Sequence, residues 1–256
     1  MRQCPLIVAH RGGAGLWPEN SLFAFQRAIG LHVDFVECDV HLTKDDVPVI
    51  IHDPMLERTT TGRGAVRDLT VDDLQGTVRL KDRDGSLMEP GKTVPSLLEL
   101  ALMTRYTGVG LVVEIKTDSR YARYPGIEEK VLEDLRQMEL IRLSRIVSFD
   151  LETIRRVRDL DQTAQTGGLF SRMGLARMGW TLSEALERLA PLDCALAGLE
   201  FPLVDQRAVG ECRRLGLGTA AWTVNDPAEM KRLADLGIDI LITDRPDLAQ
   251  TLLNTP

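Results

Sequence analysis

The chain has 256 residues, of which 44% are hydrophobic, enough to build one large core or two modest ones. Its 31 basic and 38 acidic side chains give a formal net charge of −7, which argues against a surface for nucleic acid or for an anionic membrane. An anionic substrate would therefore have to be held by local positive charge.

The cysteines predict reduced thiols rather than a disulfide framework or a zinc site. Cys4, Cys38, Cys194 and Cys212 show no CxxC spacing and lie beside apolar or small residues, as buried thiols do. The apolar run in "MRQCPLIVAHRG" is too short for a signal-peptide core, and no segment approaches the ~20 apolar residues of a membrane helix. We therefore expect a cytoplasmic protein without membrane insertion.

Short apolar, β-branched runs alternate with helical patterns along the chain. The predicted strands are residues 6–10, 35–40, 47–51, 111–115, 145–149, 163–170, 196–201, 218–224 and 238–243. Among the helical patterns, "PAEMKRLADLG" has Asp226 as its N-cap, Pro227 in its first turn and Gly237 as its C-terminal stop. This βα alternation is typical of a parallel sheet.

One pair of strands breaks the alternation, because only six residues separate Val40 from Val47. A parallel crossover needs about a dozen, so these two runs should form a hairpin. Without the returning strand, eight strands remain in about the ~250 residues of a (β/α)₈ TIM barrel. We predict this barrel over a doubly wound open sheet, since no GxGxxG follows the first strand and eight strands suit closure.

The segment 54–95 is polar, rich in glycine and charge, and carries no convincing barrel element. It is either a solvated surface excursion or a cap over the barrel mouth, and long loops in compact domains are usually functional or disordered. We expect a single domain, residues 1–256, in which segment 54–95 is a small inserted cap subdomain after the hairpin of the second strand.

Two carboxylates interrupt the second predicted strand, "FVECDV". Glu37 and Asp39 share one face of it, because residues two apart point the same way. A strand of a parallel barrel has no face toward water, so these carboxylates would repel each other and lose hydration unless a cation accepts them. The alternative is an exposed edge strand, on which both would be solvated.

The hairpin brings an imidazole back toward these carboxylates. A tight turn at residues 44–45 would place His52 opposite Glu37, and paired residues share a face of the sheet. The same register pairs Ile50 with Asp39. A slip of one residue would turn His52 away, so the prediction depends on the register.

Other predicted strands also end on polar or aromatic residues. His10 and Arg11 close the first strand, Glu114 and Lys116 share a face near the end of "LVVEIK", and Trp222 closes "TAAWTVN". Barrel enzymes keep their active sites at the carboxyl ends of the strands. We therefore expect these side chains to meet those of the hairpin at one mouth of the barrel.

Glu37, Asp39 and Glu114 offer hard oxygen donors, which suit one divalent cation, Mg²⁺ or Ca²⁺, better than zinc. Arg11 offers a planar fork that matches a phosphate, and Lys116 adds a point charge.

His10 and His52 then supply one base and one acid. A metal, a phosphate fork and a histidine pair indicate phosphodiester cleavage rather than aldol chemistry, which would use a Schiff-base lysine or an enolate-stabilising set.

In its motifs, the sequence resembles the glycerophosphodiester phosphodiesterase family. The resemblance runs through "AHRGGAGLWPENS", "ECDVHLTKDDVPVIIHD", "RTTTGRG", "VEIK", "WTVN" and "ITDRP", and it covers essentially the whole chain. It implies a TIM barrel with a small inserted subdomain, a divalent cation, and hydrolysis of deacylated phospholipids to glycerol 3-phosphate and an alcohol.

The resemblance also implies roles for single residues. The implied metal ligands are Glu37, Asp39 and Glu114, the general base and acid are His10 and His52, the phosphate contacts are Arg11 and Lys116, and Glu19 and Asn20 support the first-strand loop. Trp222 completes the predicted substrate-binding set. The chain departs from the family pattern at Ser21, where Thr is common, and at Asp46, where the turn usually carries Gly. The attacking group stays open between the glycerol 2-hydroxyl and water.

Two alternatives belong to other classes. A related barrel enzyme that acts on lysophospholipids, with lysophospholipase D activity, would need an apolar approach surface on the insertion, whose sequence is polar. A non-catalytic glycerophosphodiester-binding protein would be expected to lack a histidine or a ligand, and none is missing.

Overall fold

Within residues 4–88 and 92–253, the part of the chain that this computed structural model describes, nine strands form at the short apolar runs. They are β1 (Leu6–Ala9), β2 (Phe35–Leu42), β3 (Pro48–Ile50), β4 (Gly110–Ile115), β5 (Ser144–Ser148), β6 (Gln165–Phe170), β7 (Leu196–Glu200), β8 (Gly218–Trp222) and β9 (Ile240–Thr243).

Helices lie between most of these strands and after the last. They are α1 (Leu22–Gly30), α2 (Val71–Thr77), α3 (Leu97–Thr104), α4 (Ile127–Gln137), α5 (Leu151–Leu160), α6 (Arg172–Met178), α7 (Leu182–Glu187), α8 (Gln206–Arg214), α9 (Pro227–Leu236) and α10 (Pro246–Leu253). The predicted ends of α9 are confirmed, because Asp226 accepts the first backbone N–H groups and Gly237 ends the helix at a φ of 78°.

Eight of the strands close into a parallel barrel. The order is β1-β9-β8-β7-β6-β5-β4-β2, and β1 also pairs with β2, which completes the circle. β3 pairs antiparallel with β2 as the returning arm of the predicted hairpin. The (β/α)₈ TIM barrel is therefore confirmed, and the closing β1–β2 pair excludes the open sheet.

Alternate residues of each strand face the barrel interior. The interior is filled by one apolar cluster, which consists of Val8, Val112, Val147, Leu169, Leu196, Ala220, Ile240 and Ile242. On β2 the inward face carries Phe35, Glu37 and Asp39, whereas Val36 and Cys38 belong to the core under the helices. Glu37 is 4% exposed and Asp39 0%, so β2 is not an exposed edge strand.

The predicted register of the hairpin is wrong by one residue. Val40 pairs with Ile50, and Thr43 donates its N–H to the carbonyl of Val47 over 3.1 Å. The loop therefore contains three residues rather than two. Its last residue, Asp46, takes a left-handed conformation with a φ of 60°, as the third residue of such loops does.

The one-residue shift in register does not turn His52 away from the site, because His52 lies beyond the last paired residue of the hairpin. β3 ends at Ile50, and the last backbone bond toward β2 runs from the N–H of Ile51 to the carbonyl of Asp39 at 3.0 Å. The chain then leaves the sheet, so the alternation of faces no longer decides where the His52 ring points.

The segment 54–95 folds around a small apolar cluster of its own. Its members in this segment are Leu56, Val66, Leu74, Val78, Leu80 and Val94, which pack against Val49 and Ile51 of the hairpin. α2 begins with a capping box between Thr70 and Asp73. The segment is therefore an ordered excursion over the described residues 54–88 and 92–95, and its role as a cap stays a prediction.

The predicted burial of the cysteines is confirmed for Cys38, Cys194 and Cys212, and all four cysteines are free thiols. It is wrong for Cys4, which is exposed near the chain end with its Sγ donating to the carbonyl of Leu253 over 2.9 Å. Across the described residues, every helix is too short or too polar to traverse a bilayer. The cytoplasmic location stays a prediction.

The hairpin turn generates a stability prediction. Asp46 is exposed at positive φ, where an L-residue is strained and glycine is not. We expect Asp46→Gly to raise the free energy of unfolding by about 0.5 kcal/mol and Asp46→Ala to lower it by about 0.5 kcal/mol, because alanine lacks the local tolerance of Asp. Urea denaturation measures both changes. An Ala variant at least as stable as the Gly variant would contradict a strained turn.

Candidate active site

Three carboxylates lie together inside the barrel, near the carboxyl ends of β2 and β4. Asp39 pairs with Glu114 in the register of these strands, and Glu37 lies two residues earlier on the same face. One oxygen from each carboxylate lies within 4.8 Å of the other two. The structure thus brings together the three residues that the sequence predicts as metal ligands.

Burial and mutual repulsion drive the pKa values of these carboxyls apart. Burial, reinforced by the charge of Asp39, raises the pKa of Glu37 to about 8, and burial also raises the pKa of Glu114. Burial acts in the same direction on Asp39, but the charges of Lys116 and Arg11 outweigh it and hold the pKa of Asp39 well below its usual range. Without a cation, Glu37 is therefore the carboxyl that takes up a proton at neutral pH.

Lys116 and Arg11 bring positive charge to this cluster. Lys116 Nζ donates to Oε1 of Glu114 over 2.5 Å and lies 2.8 Å from Oδ1 of Asp39. Arg11 Nε lies 3.1 Å from Oδ2 of Asp39, and the backbone N–H of Arg11 donates to Oε2 of Glu37 over 2.8 Å. Both predicted phosphate contacts therefore lie at the cluster, paired with its carboxylates.

The residues of the cluster fit a hard divalent cation. Oδ1 of Asp39 is buried and receives no hydrogen bond of good geometry, although Lys116 Nζ is close to it. Burial and, to a smaller extent, the charge of Asp39 raise the pKa values of Glu37 and Glu114, so a cation bound between them would favour their ionised forms. Three carboxylates without sulfur or imidazole in the set suit Mg²⁺ or Ca²⁺.

His10 lies directly after β1 and is held by a carboxylate from the end of β9. Burial acts to raise the pKa of Asp244, but the hydrogen bond and the charge of His10 lower it, so this carboxylate accepts from His10 Nδ1 over 2.6 Å. His10 Nε2 lies 4.0 Å from Oε2 of Glu37. Burial lowers the pKa of His10, but Asp244 and Glu37 outweigh it and raise the pKa above its ordinary value. Asn225 holds Asp244 in turn, over 2.7 Å.

His52 is fixed through both its ring and its backbone. Burial acts to raise the pKa of Asp53, but hydrogen bonds from Arg58 and His52 lower it to about 2, so Asp53 accepts from His52 Nδ1 over 2.6 Å. The His52 carbonyl accepts from Nε2 of His41 over 3.0 Å. Burial lowers the pKa of His41 to about 4, so its Nδ1 is unprotonated and accepts from the hydroxyl of Tyr124 over 2.9 Å.

A cavity of about 150 Å³ opens at the mouth beside both histidines. Its polar lining includes His10, Arg11, Glu37, His52, Glu114 and Lys116, together with Arg145 and Thr223, and apolar side chains of the barrel interior form much of the rest. Trp222 also lines it, with Phe149 edge-on at 5.5 Å between ring centroids. Of the predicted site residues, Asp39 alone lies behind this lining, at 0% exposure.

Comparison with known proteins agrees with the resemblance. The model of the glycerophosphoryl diester phosphodiesterase family matches residues 10–248 of the chain. The chain belongs to this family. A glycerophosphodiester phosphodiesterase of Caldanaerobacter subterraneus is 31% identical to it over 252 aligned positions, and the alignment covers 97% of this chain and 96% of the relative. A glycerophosphodiester phosphodiesterase of Bacillus subtilis is 32% identical over 259 residues, covering 95% of this chain and 84% of the relative.

A solved structure of an Oleispira antarctica phosphodiesterase, in complex with the product sn-glycerol-3-phosphate, superimposes on this chain with a TM-score of 0.81. It is 27% identical and each chain is covered to 98%. As a member of the glycerophosphoryl diester phosphodiesterase family, the protein is an enzyme that hydrolyses phosphoric diesters.

In this phosphodiesterase, the carboxylates that orient the two histidines were not among the predicted site residues. Asp244 directly follows β9, in "ITDRP", and Asp53 directly follows His52, in "HD". The strand-end rule that found His10 applies equally to Asp244, so the signal was present in the sequence.

Glu19 and Asn20, predicted to support the first-strand loop, contact residues of the site. Oε1 of Glu19 accepts from Nη1 of Arg11 over 3.0 Å, and Nδ2 of Asn20 donates to Oδ2 of Asp39 over 2.8 Å. The "PEN" motif of the phosphodiesterase therefore supports both Arg11 and the most deeply buried carboxylate.

The raised pKa of Glu37 predicts how the metal-free enzyme responds to pH. The folded pKa of about 8 lies above the ordinary 4.5, so the native state binds more protons than the unfolded state between these values. The free energy of unfolding then falls as pH rises through this interval. We expect Glu37→Gln, in excess EDTA, to lose much of this fall and to melt at least about 2–4 °C above wild type at pH 8.

Calorimetry from pH 5 to pH 8 measures this difference. Glu187→Gln is the control, since Glu187 is exposed on α7 and away from the cluster. Indistinguishable pH profiles for wild type and Glu37→Gln would contradict a strained metal-free cluster.

Proposed function

We propose that the protein hydrolyses glycerophosphodiesters to glycerol 3-phosphate and an alcohol, with one divalent cation and with His10 and His52 as base and acid. One observation carries the proposal: a buried cluster of three carboxylates lies at the same mouth as two imidazoles, each fixed at Nδ1 by its own carboxylate. The relatives' names and the product-bound phosphodiesterase of Oleispira antarctica support the same substrate class.

Glu37, Asp39 and Glu114 would hold the cation, which is Mg²⁺ or Ca²⁺. When bound, a divalent cation withdraws charge from a phosphoryl oxygen and makes phosphorus easier to attack. The protein itself contributes a rigid, water-poor arrangement of the ligands, because they project from paired barrel strands rather than from loops.

Arg11 and Lys116 would bind the phosphoryl group. Both line the cavity beside the carboxylates that would hold the cation, so a phosphate bound at that cation would lie where both side chains can donate to its oxygens. The guanidinium fork of Arg11 can donate to two phosphoryl oxygens at once, whereas Lys116 acts as a point charge.

The two histidines have matching local geometry. Since Nδ1 of each ring donates to an ionised carboxylate, Nε2 is the atom left to exchange a proton with substrate. We assign His10 as the base that deprotonates the attacking hydroxyl and His52 as the acid that protonates the departing alcohol. The attacking group is either the glycerol 2-hydroxyl or water.

Bound ligands would move each pKa toward its assigned role. In the ligand-free protein the pKa of His10 is raised, in spite of burial, by Asp244 and by the charge of Glu37. A cation at Glu37 would cancel that last contribution and favour a neutral base. Burial and the charge of Lys116 lower the pKa of His52, and a substrate phosphate at Lys116 would offset that charge and favour a protonated acid.

Trp222 completes the proposed substrate pocket. Its Nε1 is buried and without a protein hydrogen-bond partner, so it is a donor available to a bound substrate. Phe149, 45% exposed, packs edge-on against it and extends the aromatic wall toward solvent. Segment 54–95 is the proposed cap; Arg58 reaches from it to Glu19, beside Arg11, although none of its described residues lines the cavity.

A second candidate, an enzyme of lysophospholipids, has one feature in its favour. Exposed apolar side chains, which are Tyr121, Phe149 and Met173, follow β4, β5 and β6 at the mouth of the barrel rather than lying on the insertion. Parallel assays of glycerophosphocholine and lysophosphatidylcholine decide between the two, and we expect the deacylated substrate to be preferred.

Metal dependence gives the first test of the proposed function. Release of glycerol 3-phosphate from glycerophosphocholine should cease in excess EDTA and return with Mg²⁺ or Ca²⁺, because the carboxylate cluster lacks a counter-charge without a cation. Asp39→Asn should stay folded yet need far more metal for activity. Full activity of wild type in excess chelator would refute the metal proposal.

Leaving-group dependence tests the two histidine roles. A choline or glycerol alkoxide needs a proton to depart, whereas p-nitrophenolate does not. His52→Ala should therefore lose roughly 10²–10⁴-fold on glycerophosphocholine and recover much of its relative rate on a p-nitrophenyl phosphodiester. His10→Ala should be slow on both substrates, because the attacking hydroxyl still needs a base.

The reverse pattern would exchange the two roles. Wild-type rates for both variants on both substrates would mean that the histidines are structural, which would overturn the proposed mechanism.

A further inference from the structure

Arg58 joins two carboxylates that hold opposite sides of the site. It follows His52 by six positions, in the inserted segment. Its Nη1 and Nη2 donate to the two oxygens of Glu19, each over 2.8 Å. Its Nε and Nη2 donate to the two oxygens of Asp53, over 2.5 and 3.1 Å. One guanidinium thus makes two bidentate carboxylate pairs, the most directional of charged hydrogen bonds.

Each of these carboxylates also holds a residue of the cavity lining. Oδ1 of Asp53 accepts from Nδ1 of His52 over 2.6 Å, and Oε1 of Glu19 accepts from Nη1 of Arg11 over 3.0 Å. A continuous chain of charged hydrogen bonds therefore runs from the hairpin, through Arg58, to the loop after β1. Because Asp53 is the partner of the His52 ring, a rotation of Asp53 would turn the imidazole.

Arg58 itself lies outside the cavity lining. Neither it nor Glu19 nor Asp53 is among the residues that line the cavity. His52 lies beyond the last ladder pair of the hairpin, so the sheet does not fix its ring. Its backbone is held by His41, and the orientation of its ring depends on Asp53.

We propose that Arg58 is a positioning residue, which locks the Asp53 carboxylate against Glu19 and so holds His52 in the orientation that protonates the leaving group. The inference rests on the acid role proposed for His52. The inference gives the inserted segment a role in the reaction, because the segment supplies the guanidinium that holds the partner of the His52 ring in place.

The competing explanation is that Arg58 only anchors the inserted segment. The chain offers a matched control for it in Arg79, which also lies in the segment but donates to the backbone carbonyls of Gln75, Gly76 and Val78. Arg79→Ala should disturb the segment without touching Asp53 or Glu19.

The experiment compares kcat and KM of Arg58→Ala, Arg58→Lys and Arg79→Ala on glycerophosphocholine and on a p-nitrophenyl phosphodiester, with saturating Mg²⁺. Because His52 would be misplaced in Arg58→Ala, the kcat of this variant on glycerophosphocholine should fall on the order of 10²-fold, with little change in KM. Its kcat on the p-nitrophenyl ester should fall much less. Arg58→Lys should also be impaired selectively, because an ammonium cannot fork to two carboxylates. Arg79→Ala should show no such selectivity.

Two further measurements guard against a folding defect. Free guanidinium chloride at millimolar concentration should restore part of the activity of Arg58→Ala and none of that of His52→Ala. The double variant should be no slower on glycerophosphocholine than His52→Ala alone, because Arg58 acts through His52.

An equal loss on both substrates, no loss, or multiplicative losses in the double variant would overturn the inference while the proposed function stands. If His52→Ala lost activity equally on both substrates, the acid role of His52 would be refuted, and the positioning role of Arg58 would be refuted with it. Thermal melts of Arg58→Lys separate each of these outcomes from unfolding.

Discussion

Three buried carboxylates within 4.8 Å of one another are the constraint around which this site is built. A closed parallel barrel offers no water to Glu37 and Asp39, which are 4% and 0% exposed, and the register of β2 and β4 sets Glu114 beside them. Such crowding persists only if positive charge is brought to it. Lys116 and Arg11 bring part of that charge. Burial and the charge of Asp39 still raise the pKa of Glu37, so the negative charge of the cluster is not fully compensated without a cation.

Around this cluster the same histidine–carboxylate hydrogen bond occurs twice in the loops. His10 and His52 arise from different parts of the chain, yet each donates its Nδ1 proton to an adjacent carboxylate over 2.6 Å. Asp244 and Asp53 thereby fix the tautomer of each ring and leave Nε2 for proton exchange. The barrel strands hold the three carboxylates of the cluster, and the loops after β1, β3 and β9 hold the two histidines and their carboxylate partners.

The sequence carried most of the fold and much of the site. Period-two alternation in "FVECDV" predicted that Glu37 and Asp39 share an inward face, and strand ends located His10, Arg11, Glu114 and Lys116. These signals are local, since they depend on neighbours in the chain and on the rule that parallel strands end at one edge.

What the sequence missed depends on backbone detail and on distant partners. The register of the hairpin depends on the left-handed conformation of Asp46, and residue propensities alone do not predict that conformation. The bond from His10 to Asp244 joins residues 234 positions apart. The strand-end rule can place both residues at one mouth of the barrel, but a single sequence does not indicate that they pair. Cys4 was predicted buried from its apolar neighbours, but it lies close to the described C-terminal end, where less of the fold covers it.

Anomalous diffraction from crystals grown with Mn²⁺, which shares the oxygen-ligand preference of Mg²⁺ and Ca²⁺, shows directly whether the three carboxylates bind a cation. We expect one strong peak in the anomalous difference map, within bonding distance of oxygens from Glu37, Asp39 and Glu114. A map without a peak at these carboxylates, in crystals of enzyme that is active with Mn²⁺, would contradict the claim that the cluster exists to hold a cation.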